Sequence, residues 1–185
     1  MTPAQFSTLR QRMTEVYRPI SDRTVDYEYL NLQAWWADPE ILGSIGAALA
    51  RPFLDRAPSF VIGPPSSGYL LGALTAAALG VGFAAVAKEQ PDTVDSDKWL
   101  MATAPPDYRD RQLSLGLRAG TVRPGDRVLA VDDVAETGSQ LMTLRRIVEA
   151  AGATWLGASV VLDLLDRHQL RRDLNLQTIF HGREL

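Results

Sequence analysis

Two adjacent carboxylates, Asp132 and Asp133, close the apolar run Val128-Leu-Ala-Val and precede Val134-Ala135-Glu136-Thr137-Gly138-Ser139-Gln140. Side by side, such acids can accept hydrogen bonds from neighbouring hydroxyls. The small and hydroxyl residues after them lead into an amphipathic run that opens at Leu141. Backbone N–H groups converge at such a junction, where the helix dipole favours an anion. Together these residue types suit a phosphorylated sugar. The acids would hold ribose hydroxyls, while the backbone from Val134 and Ala135 to Gln140, with the Thr137 and Ser139 hydroxyls, would hold its phosphate. Gly138 lets the backbone approach closely. A plainer alternative is a strand-to-helix turn in which one acid only caps the helix.

To position these groups, residues 127–131 must form a buried strand after the turn Pro124-Gly125-Asp126, and residues 139–151 a helix ending at Gly152;. Further strands are predicted at Phe60–Gly63, Phe83–Lys88, Trp155–Leu162 and Thr178–Phe180, with helices at Gly68–Leu79 and Asp166–Arg172. Near the N-terminus, Thr2-Pro3 and Asp38-Pro39 read as caps of two helices carrying Phe6, Leu9, Met13, Val16 and Ile41, Leu42, Ile45, Leu49 as apolar stripes;. The aromatic segment Tyr27 to Trp36 reads either as core packing or as a base-stacking surface. Residues 89–112 lose periodicity, which inside a compact domain points to a functional loop; Leu113-Ser-Leu-Gly-Leu would be a hairpin arm within it;. Alternating strands and helices predict an α/β fold with a central parallel β-sheet flanked by helices and ligands at the strands' carboxyl ends. A small N-terminal hood would cover residues 1–57, the core would span 58–185, and a flexible flap 89–118.

Composition narrows the function classes. One domain fits 185 residues, 46% of them hydrophobic and 22% charged;. A net charge of −3 argues against an autonomous nucleic-acid binder, and Arg171-Arg172 reads as a solvated helix face;. The absence of cysteine excludes disulfides, thiolate metal sites and thiol catalysis;. Glycines 68, 72, 80 and 82 break the longest apolar run, which suits a buried helix and strand better than a membrane span, and no signal peptide is evident;. A cytoplasmic protein is expected. His168 and His181 are isolated and read as structural or exposed.

The apolar strand, Asp132-Asp133 and Thr137-Gly138 at this spacing resemble the diphosphate-sugar signature of type I phosphoribosyltransferases, from about residue 59 onward. Gly63-Pro-Pro-Ser66-Ser67-Gly68-Tyr69-Leu-Leu-Gly72 falls where that family has its pyrophosphate loop, and Lys88 matches a phosphate-contacting basic residue. Tyr108 to Leu115 falls at the catalytic flap, which places Tyr108, Arg109 and Arg111 over the substrate. The tail Val160-Val-Leu-Asp-Leu-Leu-Asp-Arg167 is similar to the end of adenine phosphoribosyltransferases. The resemblance implies transfer of phosphoribose from 5-phosphoribosyl 1-diphosphate (PRPP) to a nucleobase, a purine by the adenine-type match, and a homodimer as partner state. It also implies Mg²⁺, which prefers phosphate and carboxylate oxygens and would meet Asp132 and Asp133 directly, through water or through ribose.

Several positions depart from the family pattern. Glu136 stands where adenine enzymes carry a small residue and hypoxanthine-guanine enzymes an aspartate. A carboxylate ~5 Å from a phosphate charge costs about 3 kcal/mol at an effective dielectric of ~20. Its side chain must therefore turn to solvent or toward the incoming base, where it could exchange a proton with a purine ring nitrogen. Pro65 and Ser67 replace an acid and an arginine, and Gln140 replaces a threonine while keeping an amide donor. Pro64 and Pro65 make a cis X–Pro bond feasible. Losing the arginine at position 67 motivates an alternative: a non-catalytic regulator that senses PRPP or a nucleotide. An unrelated α/β domain using its acid pair for metal alone is the third reading.

Overall fold

The structure is a computed structural model and describes residues 1–18, 20–21, 28–29, 31–88, 98–103, 114–182 and 184–185. Helix α1 (Pro3–Val16) begins as its sequence dictates. The Thr2 hydroxyl accepts the Gln5 N–H, and the Gln5 side chain accepts the Thr2 N–H;. A short antiparallel pair follows, β1 (Ile20–Ser21) with β2 (Glu28–Tyr29), then a single turn, α2 (Gln33–Trp36). Asp38 caps α3 (Pro39–Ala50) by accepting the Glu40 and Ile41 N–H groups, and it also pairs with Arg12 at 2.9 Å;.

Next come β3 (Phe60–Gly63), α4 (Ser67–Leu79) and β4 (Gly82–Ala85). The predicted strand at 83–88 thus stops short: the Val86 N–H donates to the Gly63 carbonyl at 2.9 Å, but the register ends at the Gly63–Ala85 pair and Lys88 sits in a bend. Trp99–Thr103 (β5) pairs antiparallel with Ser114–Arg118 (β6), so the predicted hairpin arm exists and its partner lies inside what reads as irregular sequence. The chain continues through β7 (Arg127–Ala135), α5 (Ser139–Ala150), β8 (Thr154–Asp163), α6 (His168–Asp173) and β9 (Leu176–His181).

Five parallel strands form the central sheet in the order β4-β3-β7-β8-β9. Both faces are buried, as an all-parallel sheet requires. Alternate residues divide between the layers: Val61, Leu129, Val131 and Val161 pack with α1, α3 and α4, while Ile62, Val128, Ala130 and Val160 pack with α5 and β6. The N-terminal residues expected as a hood therefore supply Leu9, Met13, Ile41, Ile45 and Leu49 to the first of these layers. Trp35 is fully buried there, donates its indole N–H to the Met13 carbonyl at 2.8 Å and stacks on Phe180. That is the core-packing reading of the aromatic segment, and it excludes Trp35 from stacking on a base.

The chain runs β3 to β4 outward on one side and β7 to β8 to β9 outward on the other. The direction reverses between β3 and β7. In an open parallel sheet the loops leaving two such strands diverge to opposite faces and leave a crevice at their carboxyl ends. Among the described residues, no helix is long and apolar enough to cross a membrane.

Candidate active site

That crevice lies between the loops after β3 and after β7. On the first side, Gly63 ends the strand and Gly68 sits in the first turn of α4. A Cβ on Gly63 would come 2.0 Å from the Gly68 carbonyl oxygen. One on Gly68 would meet Pro64 Cδ at 2.5 Å and the Val131 carbonyl oxygen at 3.0 Å. Only glycine lets helix, loop and the β7 backbone touch this closely. The cis peptide joins Pro65 to Ser66, one bond beyond the X–Pro bonds expected to be candidates. Ser66 is exposed, Ser67 half-buried, and no side chain caps α4. Tyr69 fixes this helix by donating its hydroxyl to the Val86 carbonyl at 2.9 Å, and burial raises its pKa.

On the second side, the strand is longer than its apolar run suggests. Asp132 pairs with Val160, Val134 with Leu162 and Ala135 with Asp163, so both acids sit in β7 and the turn comes after Ala135. Asp132 is 3% exposed. One of its oxygens accepts the Asp133 N–H at 2.9 Å, and the other accepts the Gln140 side-chain amide at 2.6 Å. Burial, and then the neighbouring charge of Asp133, push its pKa up to about 7 against the relief given by those donors;. Asp133 is half-buried and accepts the Val134 N–H at 2.7 Å.

Glu136 and Thr137 are exposed at the tip of the loop. Gly138 turns the chain into α5 at φ +77° and, as the N-cap residue, has no side chain to cap that helix;. Thr137 Oγ1 accepts the Ser139 N–H at 3.3 Å and donates to Ser139 Oγ at 3.2 Å. The first-turn amides of Gln140 and Leu141 have no intrahelical partner by construction, which leaves a positive helix end beside the two hydroxyls. An anion fits there.

The fold thus brings Gly68, next in chain to Ser66 and Ser67, against the strand that carries Asp132 and Asp133, with Val134 to Gln140 following from that strand. Lys88 lies past the end of β4, one residue beyond an Ala87–Gly116 bridge to the middle of β6. Tyr108, Arg109 and Arg111 fall outside the described residues. Sequence reasoning took Gln140 as a ligand donor; in the structure its amide is given to Asp132. It also missed Asp163 and Arg171, because an acid at a strand end and an arginine in a dibasic pair carry no local signal of meeting.

Comparison with known proteins agrees with this geometry. The family model described as "Phosphoribosyl transferase domain" matches residues 37–178. An adenine phosphoribosyltransferase of Paracidovorax citrulli is 34% identical over 131 residues, 69% of this chain and 67% of that protein. A xanthine phosphoribosyltransferase of an Exiguobacterium species is 30% identical over 171 residues, covering 89% and 83% of the two chains. Among solved structures, adenine phosphoribosyltransferase from Thermoanaerobacter pseudethanolicus has the same fold, with a TM-score of 0.80 at 22% identity, covering 93% of this chain and 99% of that one. The match runs through both loops of the crevice and most of the chain's length, and the protein belongs to the phosphoribosyl transferase domain family.

Proposed function

We propose that the protein transfers the 5-phosphoribosyl group of PRPP to a purine base and releases pyrophosphate. The observation that carries this reading is the reversal of strand order between β3 and β7, where a glycine-tight loop, an acid pair and a helix N-terminus come at the carboxyl ends of neighbouring strands. In this reading the amides and hydroxyls of residues 135–140 hold the 5′-phosphate, and the loop of Ser66, Ser67 and Gly68 holds the pyrophosphate. Asp132 and Asp133 accept the ribose hydroxyls. The bond from C1′ to the pyrophosphate oxygen breaks as a ring nitrogen of the base bonds C1′, and that nitrogen's proton leaves. In this reading Glu136, which is exposed at the loop tip, takes it;. Positioning and electrostatic stabilisation of the cationic sugar supply the rate.

Mg²⁺ suits these residues. Among the described residues no cluster of three His, Cys, Asp or Glu could cage a metal. Mg²⁺ commonly takes one or two carboxylates and completes its shell with phosphate oxygens and water. Asp133 and Asp132 would provide those carboxylates, and the ion would neutralise the pyrophosphate charge.

Purine specificity is supported by matches to relatives named for adenine and for xanthine, two purines that differ at the 2- and 6-positions. The adenine-type base is our choice, from the number of relatives so named. The test is pyrophosphate release with adenine, xanthine, hypoxanthine and guanine, with and without Mg²⁺. Turnover with adenine that needs the metal is expected. PRPP binding without turnover on any base would instead favour a PRPP-sensing regulator, the reading that Ser67 at the pyrophosphate loop suggests.

A further inference from the structure

We infer that Arg171 is a positioning residue for the loop of residues 136–139, acting from behind it through Leu165 and Leu170. The inference rests on the reading that this loop holds the 5′-phosphate. Arg171 reads as a solvated cation in the sequence, yet in the fold it closes a fork on Asp163, the buried last residue of β8. Its Nε donates to Asp163 Oδ2 and its Nη2 to Asp163 Oδ1 at 3.2 Å; Nη2 also donates to the Leu165 carbonyl. Asp163 Oδ1 accepts the Leu165 N–H at 2.9 Å, so one carboxylate and one guanidinium hold both backbone groups of Leu165. His168 and His181 touch the same cluster from the exposed side, at 3.0 Å from Arg171 Nη1 and 3.4 Å from Asp163 Oδ2.

What the fork holds then bears on the loop. Leu164 donates its N–H to the carbonyl of Ala135, the residue just before the loop. The Leu165 side chain is buried with Ala135 and Leu141, against which Leu170 also packs. A Cβ on Gly138 would lie 2.6 Å from Leu170 Cδ2 and 3.3 Å from Leu165 Cδ2. These two side chains therefore form the floor under the left-handed residue that aims the loop's amides. A bidentate Arg–carboxylate pair fixes orientation as well as distance, which is what a floor on a six-residue helix needs.

The experiment compares the wild type with Arg171→Met, Arg171→Lys, Leu170→Ala and the double variant Arg171→Met with Asp163→Leu. The double variant removes both charges, so a lone buried carboxylate does not dominate the result. Calorimetric titration with PRPP and Mg²⁺ is paired with separate KM and kcat values for PRPP and for the base. PRPP affinity should fall about ten- to a hundredfold in Arg171→Met and in the double variant, the size expected for losing one charge-assisted bond to the phosphate. Arg171→Lys should recover part of it, Leu170→Ala should fall in the same direction with the ion pair intact, and KM for the base should stay within about twofold. Unchanged PRPP affinity in Arg171→Met and Leu170→Ala, with a wild type that binds PRPP, overturns this inference alone. A wild type that does not bind PRPP overturns the functional reading and this inference with it.

Discussion

Replacing Asp132 with asparagine should make the ligand-free protein more stable and the enzyme inactive. The side chain is 3% exposed, and its pKa rises from an ordinary 3.8 to about 7, first through burial and then through the charge of Asp133. At ~1.4 kcal/mol per pH unit, holding this group ionised in the fold costs about 4 kcal/mol at pH 8. The sign follows from proton binding: between 3.8 and 7 the folded chain holds a proton that the unfolded chain has released;. The contribution of Asp132 is therefore fully present below 3.8 and is lost as pH rises through about 7. Asparagine keeps the volume and one acceptor, and Gln140 can turn its amide toward the new NH₂ group; an imperfect exchange returns roughly 1 kcal/mol. The net gain at pH 8 is then about 2–3 kcal/mol, a rise in Tm of roughly 5–10 °C for a chain of this size. At pH 5 the gain should shrink to about 1 kcal/mol or less, since the folded wild type is already protonated there. Asp38 and Glu184 do not confuse this window. Their pKa values are lowered, chiefly by the N–H groups of Ile41 and His181, so their stability is lost only as pH falls into the acid range. Differential scanning calorimetry of both proteins at pH 5 and pH 8, beside kcat/KM for PRPP, measures the effect. A Tm difference independent of pH, or a variant less stable at pH 8, would refute the account of Asp132.

Gly68→Ala should lower kcat/KM at least tenfold with a smaller effect on folding, because its Cβ can be relieved only by moving Pro64 or the β7 backbone at Val131, both at the crevice; steady-state kinetics alongside urea unfolding separate the two effects. Trp35→Phe should cost about 2 kcal/mol by urea unfolding, from a void beside Phe180 and the loss of one of the two hydrogen bonds that the Met13 carbonyl accepts (the Tyr17 N–H stays), and leave KM for the base unchanged;. A raised KM for the base with unaltered stability would return Trp35 to a stacking role.

The parallel sheet was legible because residues 60–63 and 128–131 are apolar without a break and 155–162 are apolar but for Ser159, the pattern of strands covered on both faces;. The helix starts at Thr2 and Asp38 were legible for a local reason, since a cap is decided within four residues. Strand β5 was hidden because Trp99-Leu-Met-Ala-Thr103 is half-exposed or exposed throughout and carries no clean alternation. Its ladder with β6 is a property of the partner sequence. The length of β7 was hidden likewise: two acids and a glutamate read as the end of a strand, and only pairing with Val160 and Leu162 holds Asp132 and Val134 extended.

The same distinction separates what could be read of the site from what could not. Residue types that touch a ligand are local, because a phosphate-sized anion spans one turn of chain; residues 132–140 therefore announced themselves. Groups that set the properties of those residues come from elsewhere. The close packing of α4 on β7 at Val131, next to Asp132, depends on Gly68, and the floor beneath Gly138 depends on Arg171 reaching back to Asp163. Each is a place where the fold accepts a cost, a buried acid in one case and a buried ion pair in the other, that an apolar residue would avoid. Asp132 in particular is held half-ready near neutral pH: a nearby cation or a diol donor would lower its pKa and complete the ionisation that burial and the Asp133 charge resist;. Ligand binding at pH 6.5 should thus release protons, and the loss of that release in Asp132→Asn would tie the group's instability directly to its use.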